Sequence, residues 1–324
     1  MCIKRGLFLF ATTILLPFNC FCWGFYAHQK ISYYAVFLLP PEMMVFYKPH
    51  IQFLSEHSGD PDKRRYVLEE EGVRHFIDID HYGPYPYDSL PRHWSDAVAR
   101  YGEDTLNQHG IAPWWLVLMQ YRLTEAFKEK DALRILKLSN DLAHYMADIH
   151  VPLHVSSNHN GQLTGQQGVH GFWESRIPEL FVEHGWNFFT GKASYVPYPS
   201  QLIWQRVLES AQAADTVLLA DRELTATFPG DQKFAHEERN GVIVRQYSSV
   251  FAKAYNKKLN GMVERRMRQS IHAIASLWLT AWVDAGQPDL HGLTGKEFGE
   301  KDVKEFEELN RAWKINSSKG GQRD

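Results

Sequence analysis

Residues 144–174 carry two histidine–carboxylate pairs at helical spacing, His144-x3-Asp148 and His170-x3-Glu174, with His154 between them. On a helix, residues four apart lie on one face a turn above each other, so each pair can close on a single cation. The two pairs are two jaws, and the fold has to bring them together. Pro152 cannot continue a helical hydrogen-bond ladder, so it ends the first helix just before His154 and lets that side chain turn out. The polar, glycine-rich run 156–168 reads as a loop leading to a second helix that holds His170 and Glu174. With 16 His and 38 acidic residues in 324, a His-x3-Asp/Glu pair arises by chance about twice. A single pair would therefore be a solvated helix face. Five imidazole and carboxylate groups in one short segment are a different matter, and these ligand types suit zinc. His81, His150 and His159 are read as bystanders.

The chain opens MCIKRGLFLFATTILLPFNCFC. Lys4 and Arg5 form a basic start, residues 6–18 are apolar, and Cys20 and Cys22 place small residues where a signal peptidase reads. Residues 1–22 are accordingly expected to be a signal peptide, with the protein exported to the periplasm or the exterior after cleavage before Trp23. All three cysteines, at 2, 20 and 22, fall in that segment. The mature chain then has neither disulfides nor thiolate ligands. Losing Lys4 and Arg5 takes the formal charge from −3 to −5. An acidic surface does not steer polyanions, which argues against tight duplex nucleic-acid binding. A free amine at Trp23 and the carbonyl of the same residue could chelate a metal in a five-membered ring, and His28 lies five residues on.

Apolar residues recur at helical spacing over 114–128 and 132–150, with Asp131 as N-cap of the second helix and Pro113 near the start of the first. Residues 202–221 and 251–285 read as further long helices, and no clean alternating strand pattern stands out. The fold expected is all-α: a single compact multi-helix domain over residues 23–290. Residues 291–324 form a charged C-terminal tail with one amphipathic stretch at 306–313.

The start WGFYAH, the pair Asp60 and His75 in GDPDKRRYVLEEEGVRHFIDID, and the block HYMADIHVPLH to HGFWE together resemble the superfamily of zinc-dependent phospholipases C and single-strand nucleases of the S-one/P-one type. The resemblance covers nearly the whole mature chain and implies three Zn2+ ions. Asp60, His75, His144 and Asp148 would hold the first; His154, His170 and Glu174 the second. Trp23, through amine and carbonyl, would hold the third with His28 and a shared Asp148. It also implies a metal-activated water attacking phosphorus in line, with Asp60 orienting or deprotonating that water.

The substrate is then a phospholipid or a single-stranded nucleic acid. Glu174 as last ligand and the short loop between His154 and His170 resemble the phospholipases, whereas DIHVPLH resembles the nucleases. The phospholipase C reading is favoured. Tyr82, Tyr85, Tyr87, Phe25 and Tyr26 could cage a choline or stack a base, and Lys63, Arg64 and Arg65 could touch phosphate, although packing and a solvated face are the plainer roles. Peripheral membrane contact fits the phospholipase reading, and no obligate protein partner is implied. A secreted zinc-binding protein without turnover is a further alternative, and a helical bundle with incidental histidines a weaker one.

Overall fold

A computed structural model describes residues 24–239, 241–296 and 298–317. The signal-peptide reading of residues 1–22 and the ligand role of Trp23 lie outside the described residues. Fourteen helices and one hairpin make up the described chain. Six short helices come first: α1 (Phe25–Val36), α2 (Pro41–Tyr47), α3 (Ile51–Glu56), α4 (Asp60–Arg64), α5 (Trp94–Tyr101) and α6 (Glu103–Gln108). The long pair α7 (Ala112–Glu129) and α8 (Ala132–Asp148) follows. After them come α9 (Val169–Gly171), α10 (Ile177–Phe181), α11 (Pro199–Thr227), α12 (Ser249–Lys258), α13 (Met262–Asp284) and α14 (Glu300–Ser317). The architecture is thus all-α.

Helices α7 and α8 form an antiparallel hairpin because the connection is short and its chemistry is definite. Lys130 adopts a left-handed conformation (φ 54°) that closes α7, and the Asp131 carboxylate accepts the Arg134 amide at 3.1 Å to cap α8. Both helices pack on α13, whose small and aromatic residues fill the centre. The Trp278 ring stacks on Tyr47 with centroids 5.0 Å apart, and its Nε1 donates to the Ser139 carbonyl at 3.0 Å. A buried indole so satisfied adds apolar area without an unmet donor.

Two features depart from the sequence reading. The helix expected over 251–285 is two, α12 and α13, because Asn260 (φ 50°) and Gly261 (φ 69°) turn left-handed between them. A two-stranded antiparallel sheet, β1 (Phe234–Arg239) and β2 (Val242–Tyr247), pairs Phe234 with Tyr247 and Arg239 with Val242. The dipeptide Asn240-Gly241 between the strands is the hairpin signal that could have found it. The charged C-terminal tail, for which docking on the body and staying loose are both open in the sequence, lies against the body over much of its length. In α14, Phe306 packs on Phe53, Trp313 meets Phe25 edge-on at 5.2 Å, and the Asn316 side-chain amide donates to the Tyr66 carbonyl at 3.2 Å.

Candidate metal centre

The C-terminal turn of α8 is fastened by two neighbouring helices. Ser210 of α11 donates its hydroxyl to the Ile149 carbonyl at 2.6 Å, and Arg266 of α13 donates Nε to the His150 carbonyl at 2.8 Å. Carbonyls at a helix end need such donors, and a cation there also suits the helix dipole. The result is a rigid platform from which His144 and Asp148 project into the interior. The chain then makes a 3-10 turn, Pro152–Val155, beginning at the proline. That turn presents His154, whose Nδ1 donates to the His75 carbonyl at 2.7 Å, while the Ile77 amide donates back to the His154 carbonyl at 2.9 Å.

Three buried groups of His and carboxylate side chains converge here and can hold metal ions: His28, His144 and Asp148; Asp62, His75 and His144; and His154, His170 and Glu174. In the second, His144 Nε2 lies 3.1 Å from His75 Nδ1, and each nitrogen is 3.7 Å from Asp62 Oδ1. Asp148 Oδ2 adds a further corner, 2.9 Å from His75 Nδ1 and 3.3 Å from His144 Nε2. A tetrahedron with arms of about 2.0–2.1 Å, the length of zinc–nitrogen and zinc–oxygen bonds, has edges of about 3.3–3.4 Å, so these spacings fit one small cation. In the third group Glu174 Oε2 stands 3.0 Å from His170 Nε2 and 3.4 Å from His154 Nε2. His170 and Glu174 fall on a wide helical turn, a π segment Phe172–Arg176 continuous with α9 and α10. Such turns are rare and recur at functional sites.

The donor atoms are turned inward for a reason visible in the backbone. His144 Nδ1 donates to the Ser58 carbonyl at 2.7 Å, which leaves Nε2 as the nitrogen a metal would take. The same logic holds for His154 through the His75 carbonyl. Buried oxygens without a hydrogen-bond partner then collect at one place: both of Asp62, Oδ1 of Asp148 and Oε1 of Glu174, together with Nε2 of His28. Unmet buried polar atoms are costly at roughly 1–3 kcal/mol each, more for charged ones. A cation is the partner that would satisfy them all.

Charge follows the same pattern. Burial opposes the ionised Asp148 carboxylate, but His144 and His154 outweigh it and hold the group well below the usual carboxylate range. Burial also lowers the His144 imidazole, yet Asp148 and Asp62 prevail and raise it to about 9. Glu174 is pushed up to about 8 by burial. His28 is lowered to about 4, by burial first and the neighbouring His144 second.

The structure therefore brings together His28, His75, His144, Asp148, His154, His170 and Glu174. It does not place Asp60 among the three groups. The Asp60 carboxylate bonds His57 Nδ1 at 2.6 Å and Lys63 Nζ at 2.7 Å, and these partners hold it low against its burial. The carboxylate facing His75 and His144 is that of Asp62, two residues on. In the short helix α4 a two-residue step swings a side chain by about 200°, just over a half-turn, so GDPD offers two acids pointing to different surroundings. Spacing along the chain could not tell them apart. Gly59, just ahead, is needed because a Cβ there would sit 2.1 Å from the Phe25 ring.

The basic run is not a solvated face either. Lys63 serves Asp60, and Arg64 reaches Asp141 of α8 at 3.0 Å. His150, read as a bystander, is buried and donates Nδ1 to the Met146 carbonyl at 2.7 Å. Of the aromatics, Tyr82 is buried in the core, whereas Tyr85 stands half exposed. No helix of the described residues is long and apolar enough to cross a membrane.

Compared with known protein families and with characterised proteins, the chain matches none.

Proposed function

We propose that this chain is a metal-dependent phosphodiester hydrolase acting in the manner of the zinc-dependent phospholipases C. The observation that supports this most directly is the sharing of one carboxylate between two ligand groups. Asp148 turns Oδ1 to His28 at 3.4 Å and Oδ2 to His75 and His144. Ions held by neighbouring groups with a common carboxylate lie close together, which is the arrangement that stabilises both oxygens of an in-line displacement at phosphorus. Zinc is among the ions that imidazole and carboxylate ligands suit, and it is the one the family resemblance implies.

Three Zn2+ ions would be held here: one by Asp62, His75 and His144 with Asp148, one by His154, His170 and Glu174, and one by His28 and the other oxygen of Asp148, completed by Trp23. Bound zinc would supply Lewis acidity and bring the ionisation of water toward neutral pH. The chain's own residues do the rest. Asp62, with two buried oxygens lacking hydrogen-bond partners, is the carboxylate placed to orient an attacking water or accept its proton. This is the role that the sequence reading assigned to Asp60. His144 and His154, each anchored through Nδ1 to a backbone carbonyl, present Nε2 as the nitrogen a metal would take. Glu174 and His170 close the far side.

A single-strand nuclease is the second reading, supported by the likeness of DIHVPLH to that branch. A zinc-binding protein without turnover is the third; in it Asp62 would be a ligand only, and no water-activating carboxylate is needed. The test is the zinc-loaded protein beginning at Trp23, mixed with phosphatidylcholine vesicles and single-stranded DNA, with products identified by mass. Diglyceride and phosphocholine support the proposal. Nucleoside 5′-phosphates support the nuclease reading, and bound zinc with neither product supports the binder.

A further inference from the structure

The segment 190–196, the start of α11 and the middle of α13 enclose a cavity of about 400 Å3. None of its lining residues belongs to the three metal groups. Its volume falls within the range of about 300–1,000 Å3 usual for small-molecule sites. The walls are tied to one another. The Ser194 amide donates to Ser276 Oγ at 3.1 Å and the Val196 amide to Thr280 Oγ1 at 2.9 Å, which fastens the segment along α13. The Arg268 guanidinium fastens the chain just ahead of it, donating to the carbonyls of Asn187 and Phe189.

The lining has spent its acceptors and kept its donors. No Asp or Glu lines the cavity, whereas Arg206 and Arg268 both do. Arg268 bonds carbonyls and no carboxylate among the described residues, so no ion pair neutralises its charge. Arg206 turns Nη1 to Glu209, a carboxylate that Arg266 shares, while its Nε is buried without a hydrogen-bond partner. The Thr190 hydroxyl is buried and unpartnered as well. Gln269 gives its oxygen to Arg266 Nη1 at 3.2 Å, which leaves the amide nitrogen to donate. Buried polar groups left unmet are costly, so this lining calls for an acceptor. A second cavity beyond Gln269 adds Arg265 and Arg266 against the single carboxylate of Glu209. In a chain of net charge −3, four arginines along one groove reverse the sign locally.

We propose that this cavity binds a phosphate group, either free or as the end of a small organic monophosphate. Its donors come from three directions, α11, α13 and the 190–196 segment, which suits a tetrahedral oxyanion better than a planar carboxylate. Arginine is the side chain fitted to phosphate, and the volume beyond the anion takes an organic substituent. The site stands independently of the metal-centre reading.

Inorganic phosphate is the probe, titrated by calorimetry into the full chain with zinc present, with glycerol 3-phosphate and acetate in parallel. Gln269→Glu keeps the acceptor for Arg266 and places a carboxylate at the cavity, so it is expected to weaken one phosphate site by about tenfold or more. Phosphate bound at the metal centre is indifferent to that change, so unaltered phosphate binding in the variant overturns the proposal. Acetate binding as tightly as phosphate overturns it too. Glycerol 3-phosphate binding more tightly than phosphate assigns the site to an organic monophosphate; the reverse order assigns it to free phosphate, and either supports a phosphate site. Wild-type crystals soaked in tungstate locate the oxyanion without any variant, so the test survives a Gln269→Glu protein that does not fold. Tungstate between Arg206 and Arg268 supports the proposal, and tungstate at the metal groups alone refutes it.

Discussion

The rings of His28 and His144 stack with centroids 4.0 Å apart and planes 14° from parallel, and each turns Nε2 toward a different oxygen of Asp148, at 3.4 and 3.3 Å. Helices α1 and α8 are thereby joined through one carboxylate rather than through separate ligands. Replacing that carboxylate has to disturb two groups at once. Asp148→Asn is expected to lower bound zinc by two ions per chain, measured by metal analysis after dialysis. Loss of a single ion would show that the two groups do not share Asp148.

Asp60 and Asp62 separate structure from chemistry within three residues. Asp62→Asn is expected to fold normally and to lose hydrolysis by about 100-fold or more, since it removes the carboxylate aimed at the metal group. Asp60→Asn leaves Lys63 as a buried cation without its anion, which destabilises by roughly 3–5 kcal/mol. Denaturant unfolding together with initial rates distinguishes them. A stable, inactive Asp60→Asn protein would return the catalytic role to Asp60.

Metal uptake should release protons. His144, raised to about 9, and Glu174, raised to about 8, both carry a proton at pH 7 in the metal-free chain. Zinc requires the neutral imidazole and the carboxylate, so it must displace both protons. Affinity then rises as pH climbs from 7 through 9, and falls in acid. Calorimetry at pH 7 in two buffers of different ionisation enthalpy should show this release. Identical apparent enthalpies in the two buffers would contradict it.

The core can be tested apart from the site. Trp278→Ala removes a fully buried indole that stacks on Tyr47 and bonds Ser139, and should destabilise by about 3–5 kcal/mol. Chemical denaturation measures the loss. A change below about 1 kcal/mol would mean that the cavity collapses or fills.

Phe306 tests whether α14 is part of the domain. Its half-buried ring touches Phe53, His57 and Phe298. Phe306→Ala is expected to lower unfolding free energy by about 1–2 kcal/mol. No change would return residues 300–317 to the status of a dispensable tail.

Local chemistry made much of this legible in advance. Periodic apolar residues marked α7 and α8, Asp131 marked the cap between them, and the two His-x3-carboxylate pairs marked the centre, because a helix fixes which residues share a face. The breaks were less visible. The split between α12 and α13 turns on two left-handed residues, Asn260 and Gly261, and the β1–β2 hairpin is too short to outweigh the helical pattern around it.

What one-dimensional spacing determined was therefore the ligand types and their pairing along helices. Which acid of GDPD faces the histidines and which oxygen of Asp148 goes to which ring were decided by the packing of α4 and the Glu69–Arg74 turn against α8. Side chains two residues apart on a short helix point to different neighbours, and only the position of those neighbours assigns each its charge and its role.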